Sequence, residues 1–132
     1  MSSSVLILFV DDEALIIEAA QQWLEDAGYT VRPALSAEAA MTALESSAHQ
    51  ISGLIVDVNL RSDTTGWEVA RRARELRPNL PVVYTSGYAA GDWSARGVPD
   101  SLLVPKPYAP AQIVTAISTL INRASSRPGS IS

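Results

Sequence analysis

Residues 5–10, Val-Leu-Ile-Leu-Phe-Val, form an unbroken apolar run, the pattern of a strand buried on both faces. Leu15, Ile16, Ala19, Ala20, Trp23 and Leu24 then recur at spacings of three and four, which predicts a helix stopped at Gly28. A second short strand is expected over 29–32, before Pro33. Ser36 can cap a second helix through Ala39, Ala40, Ala43 and Leu44, ending near Ser46. Residues 51–58 read as another buried strand, and 59–66 as a polar loop. A third helix is expected from about residue 67 to 76, before Pro78, followed by strands at 81–85 and 102–104. Pro110 opens a last helix with an apolar face of Ile113, Val114, Ile117, Leu120 and Ile121. Between the fourth and fifth strands, 87–100 holds Gly91, Gly97 and Pro99 without a helical period, so one turn or a loop is expected there. Residues 125–132 read as a flexible C-terminal tail.

Strands alternating with helices imply an α/β domain with a parallel sheet covered on both faces. Five strands in 132 residues make one doubly wound domain, and either common strand order suits the pattern. Composition narrows the chemistry. Nearly half the residues are apolar and 18% are charged, enough to fill a core and unlike a disordered chain. There is no cysteine, which excludes disulfide scaffolds, zinc ribbons and thiol nucleophiles. The single histidine, His49, excludes multi-histidine metal sites. With a net charge of −4 and no basic run, no direct binding of nucleic acid is expected. The longest apolar run is far too short to span a membrane and lacks the basic flank of a signal peptide. A cytoplasmic protein without membrane contact is the expectation.

In open α/β sheets, ligands bind beyond the carboxyl ends of the strands. The first strand runs directly into Asp11, Asp12 and Glu13; the third carries Asp57; the fourth ends in Thr85-Ser86-Gly87; and the fifth leads to Lys106-Pro107. If the first and third strands are neighbours, three carboxylates converge on one edge. Such a group is destabilising unless a cation neutralises it, and hard oxygen ligands suit Mg²⁺ or Mn²⁺. Lys106 is the only lysine beside nine arginines, a compact charge able to follow a phosphoryl group. Carboxylate, divalent metal, ammonium and hydroxyl are the parts phosphoryl transfer needs. Blander readings exist for each residue. Asp11 and Asp12 could cap the first helix, Asp57 could be a satisfied buried acid, and Ser86 could be ordinary turn chemistry. The tryptophans Trp23, Trp67 and Trp93 read as packing residues, with Trp93 a partner contact if its loop leaves it exposed. Arg71, Arg72, Arg74 and Arg77 read as a solvated helix face.

Four fragments together carry a resemblance: Phe9-Val-Asp-Asp-Glu13, Ile55-Val-Asp-Val-Asn-Leu60, Tyr84-Thr-Ser-Gly87 and Val104-Pro-Lys-Pro107. In this order, and at strand ends, they resemble the receiver domain of two-component response regulators, over residues 5–124. The resemblance implies a flavodoxin-like sheet of order 2-1-3-4-5. It implies that Asp57 is the phosphoacceptor, served by a sensor histidine kinase or a histidine phosphotransfer protein, with a downstream protein reading the result. By the same resemblance Asp12 binds Mg²⁺ directly, Asp11 acts mainly through bound water, and the Asn59 backbone carbonyl is a further ligand. Lys106 pairs with the phosphoryl oxygens, its bond to Pro107 is cis, and Ser86 rather than Thr85 is the switch hydroxyl. Such a domain signals rather than catalyses, while assisting its own phosphorylation and dephosphorylation. Three departures stand out: Leu103 occupies the position of the family's aromatic switch, the fourth helix is weak, and Tyr88 stands where family members tune water access. The weak helix and the Tyr-Thr-Ser-Gly-Tyr stretch resemble an atypical subgroup with a reduced fourth helix. Two alternatives remain: a pseudo-receiver that never carries phosphate, and an aspartyl-phosphate hydrolase, disfavoured because its nucleophile would lie at the end of the first strand, in Asp-x-Asp, whereas Asp57 lies on the third with Asn59 two residues on.

Overall fold

The computed structural model describes residues 5–87 and 90–126. Five parallel strands, β1 (Val5–Val10), β2 (Tyr29–Ala34), β3 (Ile51–Asp57), β4 (Val82–Ser86) and β5 (Leu102–Pro105), lie in the order β2-β1-β3-β4-β5. The helices are α1 (Ala14–Asp26), α2 (Ala37–Ser47), α3 (Gly66–Leu76), α4 (Ala90–Arg96) and α5 (Pro110–Ser126). This is the flavodoxin-like order, and it makes β1 and β3 neighbours, with Val10 beside Val56. No helix among the described residues is long and apolar enough to cross a membrane.

Because strand side chains alternate, each buried strand supplies two layers. Leu8, Val10, Leu54, Val56 and Tyr84 face Leu44, Trp67 and Ala70 of α2 and α3. Ile7, Phe9, Ile55 and Val83 face Ile17 and Leu24 of α1 and Ile113 and Ile117 of α5. Gly28 ends α1 with φ of 100°, a conformation that costs other residues most. Ser36 caps α2, its Oγ accepting from the Ala39 amide at 3.0 Å.

Several expectations need correction. β2 continues through Pro33 to Ala34, because β2 is an edge strand and a proline there removes no bond to a second neighbour. In α1 the buried positions are Ile17, Ala20 and Leu24, while Leu15 and Trp23 are exposed. The apolar arc of that helix is wider than its contact with the sheet, and periodicity alone could not say which edge of the arc is covered. Trp23 is therefore not a packing residue. The region between β4 and β5 holds α4, the short fourth helix that the resemblance implies, with seven residues where the local pattern suggested one turn or a loop. Trp93 is not a free surface residue: its Nε1 donates to Ser101 Oγ at 2.9 Å and its ring packs against the α2/α3 layer. The arginines of α3 and its C-cap, Arg77, do more than face solvent. Arg72 pairs with Glu45 of α2, Arg74 Nε donates to the Leu80 carbonyl at 2.7 Å, and Arg77 Nη1 donates to the carbonyls of Ala48 and Ile51 at 2.9 and 2.8 Å. Residues 125 and 126, expected in the tail, are the last two of α5, and 127–132 lie outside the described residues.

Candidate functional site

β1 and β3 end side by side at the carboxyl edge of the sheet, and each delivers an acid there. Asp11 follows β1 directly and is fully buried; Asp57 is the last residue of β3, one position earlier than the expected end of that strand, and is 5% exposed. Asp12 completes the group: one carboxylate oxygen from each of Asp11, Asp12 and Asp57 lies within 4.8 Å of the others. Oxygen ligands this close, on one buried and one half-buried wall, fit a hard divalent cation. Capping does not account for the pair at the start of α1. The N-cap position is Glu13, without a side-chain cap, and Asp11 Oδ1 accepts the Glu13 amide at 2.8 Å.

Lys106 reaches the same place from β5. Its backbone amide donates to the Ser86 carbonyl at 2.8 Å, extending the β4–β5 ladder, and its bond to Pro107 is cis. The ammonium lies 3.0 Å from Asp57 Oδ2, 3.1 Å from Asp11 Oδ2 and 3.6 Å from Glu13 Oε1. Asp57 Oδ1 accepts the Asn59 amide at 3.2 Å. Burial pushes the Asp57 carboxyl above the usual carboxylate range, the Lys106 hydrogen bond opposes this, and the Asp11 charge adds to the rise. Asp11 is likewise raised, mainly by burial, against the Glu13 amide and Lys106. Burial alone would lower Lys106, but its bonds to Asp57 and Asp11 outweigh that and hold it above the usual lysine range.

A cavity of about 180 Å³ opens over these groups, lined by Asp12, Glu13, Asp57, Asn59, Ser86 and Lys106, with Arg61 also on its wall. Ser86, the final residue of β4, therefore faces the cavity. Thr85 alternates to the opposite face, fully buried, and its Oγ1 has no hydrogen-bond partner among the described residues. Leu103 pairs with Tyr84 in the sheet and packs into the α2/α3 layer, away from the cavity wall. Pro107 is exposed beside Lys106. Tyr88 lies outside the described residues. Gly66 begins α3 against the backbone of Asp57: a Cβ there would sit 2.2 Å from the Asp57 carbonyl oxygen, so only glycine lets α3 approach β3 this closely.

Three residues of the site were not singled out from sequence. Glu13 touches Lys106. Arg61 Nε lies 3.4 Å from Asp12 Oδ2. Tyr108 buries its hydroxyl, without a partner among the described residues, in the field of Asp11, Lys106 and Asp57. Two of them left a signal: Glu13 in the acidic run after the first strand, and Tyr108 as the aromatic residue two places past the sole lysine. A lone arginine in a polar loop leaves none.

Comparison with known proteins agrees with this fold. The family model of the response regulator receiver domain matches residues 7–118. The crystal structure of a response regulator receiver protein from Sinorhizobium medicae WSM419 superposes with a TM-score of 0.85 at 44% identity, covering 90% of this chain and 95% of that one. The sensor kinase CckA of Brucella abortus (strain 2308) is 27% identical over 126 residues, 93% of this chain. The C4-dicarboxylate transport transcriptional regulatory protein DctD of Rhizobium meliloti (strain 1021) is 26% identical over 116 residues, 86% of this chain. The chain spans only 13% of the kinase and 25% of the regulator.

Proposed function

This chain belongs to the response regulator receiver domain family of two-component systems, and from that premise we propose that it accepts a phosphoryl group on Asp57. What carries the reading is the ammonium of Lys106 set 3.0 Å from Asp57 Oδ2 inside a three-carboxylate pocket. A carboxylate oxygen of Asp57 attacks the phosphorus of a phosphohistidine. The bond from phosphorus to the donor imidazole breaks, its electron pair staying on nitrogen, and an acyl phosphate remains. Lys106 leaves Asp57 to pair with the new phosphoryl oxygens. Asp12, Asp57 and the Asn59 carbonyl, with Asp11 through water, would hold Mg²⁺ or Mn²⁺. Such a cation, when bound, neutralises the acids and draws charge from the phosphoryl oxygens. The Ser86 hydroxyl, already on the cavity wall, turns toward the phosphoryl group and takes the loop after β4 with it.

The donor is a sensor histidine kinase or a histidine phosphotransfer protein, and the product is read by a downstream protein. One surface supports a protein donor: Leu15, Ala19 and Trp23 form an exposed apolar stripe along α1, starting beside the pocket rim.

The deciding experiment is intact-protein mass after incubation with acetyl phosphate. A single phosphoryl increment is expected with Mg²⁺, absent with chelator and absent in Asp57→Asn. No increment under any condition, together with no response to beryllofluoride, would replace this reading by the pseudo-receiver.

A further inference from the structure

Two internal cations serve the three acids, and they do so differently. Lys106 holds Asp57 and Asp11, the two buried carboxylates. Asp12, on the open side, has Arg61 Nε at 3.4 Å from its Oδ2. Arg61 stands four residues past Asp57, with a backbone φ of 52°, a conformation uncommon for a residue with a side chain. Its amide donates to Asn59 Oδ1 at 3.4 Å, so the Asn59 side chain helps hold this turn. Farther along the loop, Ser62 Oγ donates to Glu38 of α2, and Thr65 and Glu68 form a reciprocal cap on α3. The loop is thus tied at several points, and it carries the Arg61 stem over the cavity mouth. The Arg61 side chain is 77% exposed, and a pair so open to water exchanges readily.

An arginine and a metal ion cannot both take the same face of the Asp12 carboxylate. We propose that Arg61 competes with a divalent cation for Asp12 and, once displaced, meets the phosphoryl oxygens of the incoming donor. Its planar fork of N–H groups matches a phosphoryl group better than an ammonium does. It borders the same cavity as Asp57, Ser86 and Lys106, so the displaced guanidinium has an anion within the same opening to turn to. Metal binding and donor capture are coupled in this scheme through one side chain. The second half rests on Asp57 being the phosphoacceptor; the competition for Asp12 does not.

The test uses the full chain, Arg61→Gln and Arg61→Lys, titrated with Mg²⁺ alone and followed by the amide shifts of Asp12 and Asn59. Loss of the competing charge should tighten Mg²⁺ binding by about two- to fivefold in Arg61→Gln, with Arg61→Lys close to the wild type. At saturating Mg²⁺, phosphorylation of Asp57 by acetyl phosphate should instead slow in Arg61→Gln by about tenfold. Arg61→Lys should recover part of that rate. Affinity and rate then move in opposite directions, which a general loosening of the fold would not produce. Unchanged or weaker Mg²⁺ binding in Arg61→Gln overturns the competition, and an unchanged rate at saturation overturns the donor contact. If the wild type takes up no phosphoryl group, the Asp57 reading fails and the donor contact with it, while the Mg²⁺ titration still decides the competition.

Discussion

Asp57 and Asp11 are acids that the fold holds at a net electrostatic disadvantage, because burial outweighs the help of Lys106. A carboxyl raised above its unfolded value contributes stability that is complete below about pH 4 and is lost as pH rises through the folded value. Lys106, held above its ordinary range, contributes stability present throughout neutral pH and lost only well into alkali. Replacing Asp57 by a neutral isostere should therefore stabilise the metal-free protein. Urea unfolding in chelator is expected to show Asp57→Asn more stable than wild type at pH 7, since the raised carboxyl favours the uncharged form. The gain should shrink as pH falls through the raised folded value and the wild-type carboxyl takes up its proton. Equal destabilisation across this range would mean that the Lys106 pair is net stabilising and that burial has been overweighted. At this scale the sequence was informative about identity and silent about pairing. Asp11, Asp12, Asp57, Ser86 and Lys106 stood out by type and position, whereas Arg61 did not, because a charge in a polar loop looks like solvation until its partner is in place.

Among the elements, α4 shows most clearly what local pattern can miss. Seven residues with little apolar period would not persist as an isolated helix. Its anchors come from elsewhere: Tyr84 Oη on β4 accepts the Val98 amide at 3.0 Å, Ser101 Oγ donates to the Val98 carbonyl at 2.6 Å, and Arg96 lies 5.7 Å from the centre of the Trp67 ring on α3. Tyr84 and Trp67 are themselves in contact, ring centres 4.7 Å apart. Removing the Tyr84 hydroxyl leaves a buried amide unpaired, which costs about 1–3 kcal/mol. Tyr84→Phe should lose stability in that range, and hydrogen exchange should show the Val98 amide losing protection while amides of β1 keep theirs. If Val98 keeps its protection in the variant, the tether is not what holds this segment. α3, by contrast, was legible almost to the residue, because its stop before Pro78 is written locally.

Across the whole molecule, the pocket and the α4 segment share strand β4. Ser86 ends that strand on the cavity wall, and Tyr84, two residues earlier, is hydrogen-bonded to the chain just after α4. Leu103 pairs with Tyr84 and cannot supply the rotating aromatic ring of the usual family switch. A phosphoryl group that draws Ser86 inward is therefore expected to be felt between Gly87 and Leu103. Comparing amide spectra with and without beryllofluoride should show shifts across that segment as well as at the metal ligands. Shifts confined to residues near Asp11, Asp12, Asp57 and Asn59 would sink this route and leave the output surface elsewhere. The apolar stripe of Leu15, Ala19 and Trp23 is a separate feature of the same molecule, on the helix that follows the acids of β1.

The class of fold, the order of strands and helices, and the residue types at the strand ends were determined by the sequence itself. Each depends on local or short-range rules: continuous apolar runs for doubly covered strands, three-and-four spacing for helices, and chain direction for placing polar residues at one edge. The tertiary structure alone decided which cation meets which acid, which edge of the α1 apolar arc is covered, and whether residues 90–96 are helical. Those outcomes turn on contacts between segments distant along the chain, such as Lys106 with Asp57 and Tyr84 with Val98. Their energies exist only once the sheet has brought the partners within a few ångströms, and no local window of residues contains them.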